Sequence, residues 1–158
     1  MDFRTPRERD WSTILSIANA SVADVEGAGT QEEWLDNRRN FPPDGIQHHF
    51  VCTDSERVVG YGAAEHACNA PEGAYRLFVV TTPAKLATIG NGIFNELSIL
   101  LTQLGAHNSW FVEYATDMRL TGFLIDRWYS EVRSFNLESG IAAVVLERQQ
   151  SADATPLR

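Results

Sequence analysis

Apolar positions along the chain follow two spacings, and the switches between them predict its elements. Residues 2–5 read as a short edge strand stopped by Pro6. Asp10 suits an N-cap, and Trp11, Ile14, Leu15 and Ala18 follow at helical spacing to about Ser21. Gly27 and Gly29 break the chain, and Thr30-Gln-Glu-Glu33 has the form of a capping box opening a second helix through Trp34, Leu35 and Arg38. Pro42-Pro43 ends it. Residues 48–53 and 57–68 read as two antiparallel strands around a tight turn at Asp54-Ser-Glu56, the second loosened by Gly60 and Gly62. Residues 75–80 form the next strand, apolar on both faces near its end and so central.

Beyond a loop over residues 81–89, Ile93, Phe94, Leu97, Leu100, Leu101 and Leu104 make one wide helical stripe that must face a sheet, and Gly105 suits the C′ position. Residues 109–114 are again a strand. A helix crossover separates them from 75–80, so the two strands are expected to be parallel. Asp117, with Thr116 as the other candidate, caps a short helix carrying Leu120, Phe123 and Leu124. Strands near 132–137 and 141–146 close the pattern around Glu138-Ser-Gly140, and residues 149–158 are a polar tail. The whole implies one α/β domain over residues 1–148, with no internal repeat.

Local chemistry draws attention to the glycine pair Gly90-Asn-Gly92. Amides left unpaired at a helix start, with no Cβ at two positions, form a seat for phosphate oxygens.

Thirteen basic against twenty-one acidic residues give a net charge of −8 over 158 residues. That balance argues against a nucleic-acid surface and suits a cationic or neutral small substrate. No run approaches 18 apolar residues, which argues against a membrane span, and the N-terminus lacks a signal core. Cys52 and Cys68 fall in separate strand-like runs, so two buried, unpaired thiols and a cytoplasmic setting are expected. His48 and His49 are strand neighbours pointing to opposite faces, so no metal site is expected from them.

The element order, with a glycine-turn helix after the fourth strand, resembles the GCN5-related N-acetyltransferase (GNAT) family. The resemblance runs from Phe3 to Glu147. Its acyl-CoA loop pattern, Arg/Gln-x-x-Gly-x-Gly/Ala, falls on Ala87, Thr88, Ile89, Gly90, Asn91 and Gly92: both glycines fit, and Ala87 replaces the basic or amide residue. Val59-Gly60-Tyr61 is similar to the family's Val-Gly-Tyr/Phe. Asp117-x-x-Leu120-x-x-Phe123-Leu124 is similar to its Asn-x-x-Ala-x-x-Phe-Tyr, with Leu124 where the family often has a proton-donating tyrosine.

The resemblance implies a mostly antiparallel sheet with one parallel strand pair flanked by helices, acetyl-CoA as cosubstrate, and acetyl transfer to an amine of a small molecule or peptide. It places the cosubstrate on Val79, Val80, Ile89, Gly90, Asn91, Gly92 and Asp117, with the Val79 or Val80 amide polarising the thioester carbonyl. Glu113 is the candidate for the amine proton, its alternative being a solvated carboxylate or one paired with Arg119 or Arg76. Tyr114 and Tyr129 are the candidate thiolate acids, their alternative being packing at the core edge. Trp34 is either core or acceptor wall. With Ala87 and Leu124 departing from the pattern, a binding or sensor module without efficient transfer is the competing reading. A homodimer is one arrangement the sequence leaves open.

Overall fold

The computed structural model describes residues 1–149. Its elements are β1 (Asp2–Arg4), α1 (Trp11–Ser21), α2 (Glu32–Arg39), β2 (Ile46–Asp54), β3 (Arg57–His66), β4 (Ala74–Val80), α3 (Asn91–Gln103), β5 (Asn108–Tyr114), α4 (Met118–Ile125), β6 (Ser130–Asn136) and β7 (Ala142–Gln149). All seven strands lie in one sheet, ordered β1-β2-β3-β4-β5-β7-β6. Only β4 and β5 are parallel neighbours, the consequence of the α3 crossover between them. The remainder of the expected polar tail, residues 150–158, lies outside the described residues.

Alternation along the central strands sorts the core into two layers. Tyr75, Leu77 and Val79 of β4 join Ile93, Leu97 and Leu101 of α3, Leu124 of α4 and Phe111 of β5 on one face. Phe78 joins Trp11 and Ile14 of α1, Leu35 of α2, and Tyr61 and Ala63 of β3 on the other. The glycines of β3 answer to α3: a Cβ at Gly60 would come within 2.6 Å of Ile93 Cδ1, and one at Gly62 within 2.7 Å of Ile93 Cγ2. Their absent side chains let the helix lie close on the sheet, and the bulge between Cys52 and Thr53 falls opposite the same stretch.

Three local expectations are corrected. Asp10 opens α1 but makes no side-chain cap bond; its carboxylate turns back to Arg4, at 2.6 Å, and to the Arg7 amide, at 2.6 Å. The Thr30–Glu33 capping box does not form. α2 begins at Glu32 without a side-chain cap, because Asn19 of α1 accepts the Gln31 amide at 2.8 Å and fixes the entry one residue late. Both cysteines are free, but only Cys52 is buried; β3 ends at His66, which leaves Cys68 exposed on the turn.

Candidate active site

β4 and β5 are in register at only three positions, Ala74↔Asn108, Tyr75↔Ser109 and Arg76↔Trp110. Beyond them the strands part, although β4 runs on to Val80 and β5 to Tyr114. Each is held from outside: β4 pairs with β3 as far as Val80↔Tyr61, and β5 with β7 as far as Tyr114↔Ala143. The inner edges therefore form a wedge with free backbone groups on its walls. Successive residues of a strand send their N–H groups to opposite edges, so of Val79 and Val80 one faces β3 and the other faces the wedge.

A cavity of about 220 Å³ occupies the wedge. Phe78, Val79 and Val80 line it from β4, and Val112, Glu113 and Tyr114 from β5. Trp34 closes it from α2, and Asp117, Arg119 and Leu120 from the start of α4. Glu113 keeps some accessible surface on the cavity. Burial of its carboxyl pushes the pKa up to about 8; Asp117 adds to the shift and Arg76 opposes it. Among the described residues Glu113 makes no ion pair within 4.0 Å. A carboxyl of this kind takes up and releases a proton near neutral pH, as a general base must.

Arg76, also in the cavity wall, is pushed below the usual guanidinium range by burial and by Arg38, with Glu113 and Glu65 opposing. Glu65 stands directly across from it on β3. Its Oε2 goes elsewhere, to Arg38 Nε at 2.7 Å and Gln47 Nε2 at 2.8 Å. The Arg38 Nε–H is not well aimed along its contact, so that contact is an ion pair rather than a well-formed hydrogen bond.

No protein-family model matches the chain, and no curated protein does. Solved structures do. The ribosomal-protein-S18-alanine N-acetyltransferase from Escherichia coli is 13% identical with a TM-score of 0.72, over 99% of this chain and 98% of that one. Aminoglycoside 6′-acetyltransferase type Ii is 14% identical at 0.67, over 94% and 97%. The PaiA N-acetyltransferase from Thermoplasma acidophilum, in complex with coenzyme A, is 10% identical at 0.68, over 94% and 98%. The chain has the GNAT fold. Helices on both faces of a mixed sheet with one parallel pair are what the sequence reading anticipated.

Within this GNAT fold the structure brings Glu113, Tyr114, Val79, Val80, Asp117 and Trp34 around one cavity. Asp117 is also the cap of α4, accepting the Leu120 amide at 3.2 Å; burial raises its pKa, opposed by that amide and by Arg119. Trp34 is wall and core together, packing edge-on to Tyr61 and Phe78. Tyr129 departs from its expected place. It is 3% exposed, packs against Phe94 and Phe111, and meets Ser109 Oγ at 2.6 Å, so its hydroxyl is spent inside the core. Leu124 is fully buried in the same layer. Among the described residues no group of three or more His, Cys, Asp or Glu is placed to hold a metal, and no helix is long and apolar enough to cross a membrane.

The glycine pair is also placed differently. A 3-10 turn over Pro83–Lys85 and a π-turn over Leu86–Gly90 run straight into α3, so the helical segment starts well before the glycines. Gly90 and Asn91 have helical dihedrals, and the Asn91 amide already donates to the Leu86 carbonyl. Gly90 serves packing: a Cβ there would lie 2.7 Å from Leu86 Cδ1. Asn91 contributes its side chain instead, Oδ1 accepting from Arg127 Nη2 at 2.8 Å. Arg127 is anchored further by the Phe123 carbonyl at 2.9 Å and by the Phe123 ring, 3.4 Å below its guanidinium carbon. Neither Arg76 nor Arg127 was singled out as a site residue from sequence. For Arg76 the usable signal was an arginine inside an otherwise apolar strand.

Proposed function

We propose that the chain is an acetyl-CoA-dependent N-acetyltransferase that works by direct attack of an amine on the thioester. The observation that carries this reading is the wedge between β4 and β5, with an unpaired strand edge on one wall and Glu113 on the other. The residues fit the cosubstrate: the wedge offers main-chain groups to an extended arm, and the π-turn leading into α3 lies beside it, with Leu86 in the cavity wall. The S18-alanine and aminoglycoside neighbours are named for different acceptors, so the fold by itself does not choose one.

Acetyl-CoA supplies the activated acetyl group. The amine nitrogen bonds to the carbonyl carbon while the carbon–sulfur bond breaks. Glu113, as carboxylate, takes the proton the amine loses. The Val79 or Val80 amide that faces the wedge donates to the carbonyl oxygen as its charge develops, a contribution of roughly 3–4 kcal/mol for a well-aimed donor. Tyr114 is the phenol hydroxyl in the cavity wall able to give the departing sulfur its proton. Arg127, held on Asn91, supplies near α3 the cation that Ala87 lacks.

Thermal shift tests the binding half and thiol release the transfer half. Acetyl-CoA at about 100 times its Kd adds roughly 2.7 kcal/mol, which raises the Tm of a chain this size by about 5–10 °C. Arg127→Ala should weaken binding roughly 10-fold or more, a lost hydrogen bond to charge. Stabilisation without thiol release over a broad amine panel would replace the enzyme with a binding module. No stabilisation at all would remove both.

A further inference from the structure

Arg76 has no task in the reaction just described, yet its position is costly. Its Nε is buried without a hydrogen-bond partner, and no carboxylate lies within ion-pair distance of it among the described residues. Arginine keeps its charge at any ordinary pH, and Arg76 holds that charge half-buried with no carboxylate closed on it. The neighbour that could have answered it, Glu65, is committed to Arg38 and Gln47. What remains open to Arg76 is the cavity, whose wall it forms.

The direction of the side chain sharpens this. Arg76 sits at the last position of β4 that pairs with β5, where the wedge opens. Its guanidinium lies 4.8 Å from the centre of the Phe78 ring, two residues along the strand on the same face. The side chain thus runs up the wall of the wedge rather than away from it. A planar guanidinium offering parallel N–H groups matches a carboxylate. The opposite wall carries Glu113, with Asp117 beside it, and suits an amine. One small cavity therefore presents a cation and a carboxyl pair to the same guest.

We propose that the acceptor is an amine that carries its own carboxylate, a free amino acid, with the carboxylate on Arg76 and the amine at Glu113. This rests on the transferase reading above and narrows its substrate. A polyamine would leave Arg76 unanswered and bring a second cation toward it. A cavity of about 220 Å³ also lies below the roughly 300–1,000 Å³ of sites for drug-sized ligands, which favours a small guest.

The test compares three acceptor sets at fixed acetyl-CoA: the common amino acids, their carboxamide and decarboxylated counterparts, and polyamines. Thiol release and product mass are both read. Removing one partner of a buried charge pair costs about 2–5 kcal/mol, so the best amino acid should exceed its decarboxylated counterpart in kcat/KM by roughly 30-fold or more. Arg76→Met should collapse that preference and Arg76→Lys should keep part of it. An unchanged thermal shift with acetyl-CoA shows each variant folded. If decarboxylated amines or polyamines are acetylated as well as amino acids, or if R76M keeps the preference, the amino-acid inference is wrong and the transferase stands. If no amine of any class releases thiol, the transferase reading itself fails and this inference with it.

Discussion

Two guanidinium–carboxylate couples stand near the wedge, Arg38 with Glu65 on the α1/α2 face of the sheet and Arg76 with Glu113 across the cavity, and they are built to opposite specifications. Both arginines sit over the ring of Phe78, Arg38 at 4.3 Å and Arg76 at 4.8 Å. Arg38 and Glu65 close on each other at 2.7 Å with side chains only 9% and 5% exposed, and Gln47 ties the couple to the chain by donating to the Glu65 carboxylate and the Arg38 carbonyl. Burial pushes the Glu65 carboxyl up, and Arg38 and Gln47 pull it back. Across the wedge, Arg76 and Glu113 face a cavity and do not close on each other. The first couple fastens α2 to β3; the second keeps its charges for something that arrives. A closed pair is a fastening and an open pair is a site, although both have the same composition.

Glu113→Gln should break the open couple most severely. It keeps the shape and removes the base, so kcat should fall roughly 10²–10⁴-fold with acetyl-CoA affinity intact, measured by thiol release and thermal shift. In the native protein kcat/KM should rise with pH and level off above about 8, where the carboxyl is ionised.

Arg38→Met probes the closed couple. It leaves Glu65 buried without its cation and should cost roughly 3–5 kcal/mol in denaturant unfolding. Arg76→Met, which removes an unanswered half-buried charge beside Phe78, should leave stability unchanged or raise it. Equal losses from the two variants would erase the distinction between the couples.

The remaining effect is a stability linkage. The folded chain holds the Glu113 proton to about pH 8, whereas the ordinary value is 4.5. The native state therefore binds more protons between those values, and this contribution is intact below the lower pH and lost as pH rises through the higher. Glu113→Gln should raise Tm at pH 9 and change it little at pH 5.

Much of this was legible before any coordinates. The stripe from Ile93 to Leu104 announced α3 because a helix must bury one face, and the apolar run in β4 announced a central strand. Glu113 stood out as a carboxylate in a strand beside the expected cleft, and it is there. What escaped depends on partners distant in sequence. Asp10 reads as a cap until Arg4 competes for it, and Tyr129 reads as an acid until Ser109 takes its hydroxyl. The glycine pair reads as a turn because glycine allows one, but here Gly90 lies within a helix already under way, packed against the Leu86 side chain. Arg76 could be seen but not weighed, since its meaning comes from Glu65 being bonded elsewhere.

The three-position joint between β4 and β5 has a consequence for how the molecule assembles. On one side of it, β1 to β4 pair only with one another; on the other, β5, β6 and β7 do the same. Each side is therefore closed by its own strand pairing, whatever the length of chain between its partners. The joint is the one strand pairing that spans the α3 crossover. The cavity is thus a seam between two strand-paired units, each supplying one wall, while the side chains of both meet in the shared layer against α3.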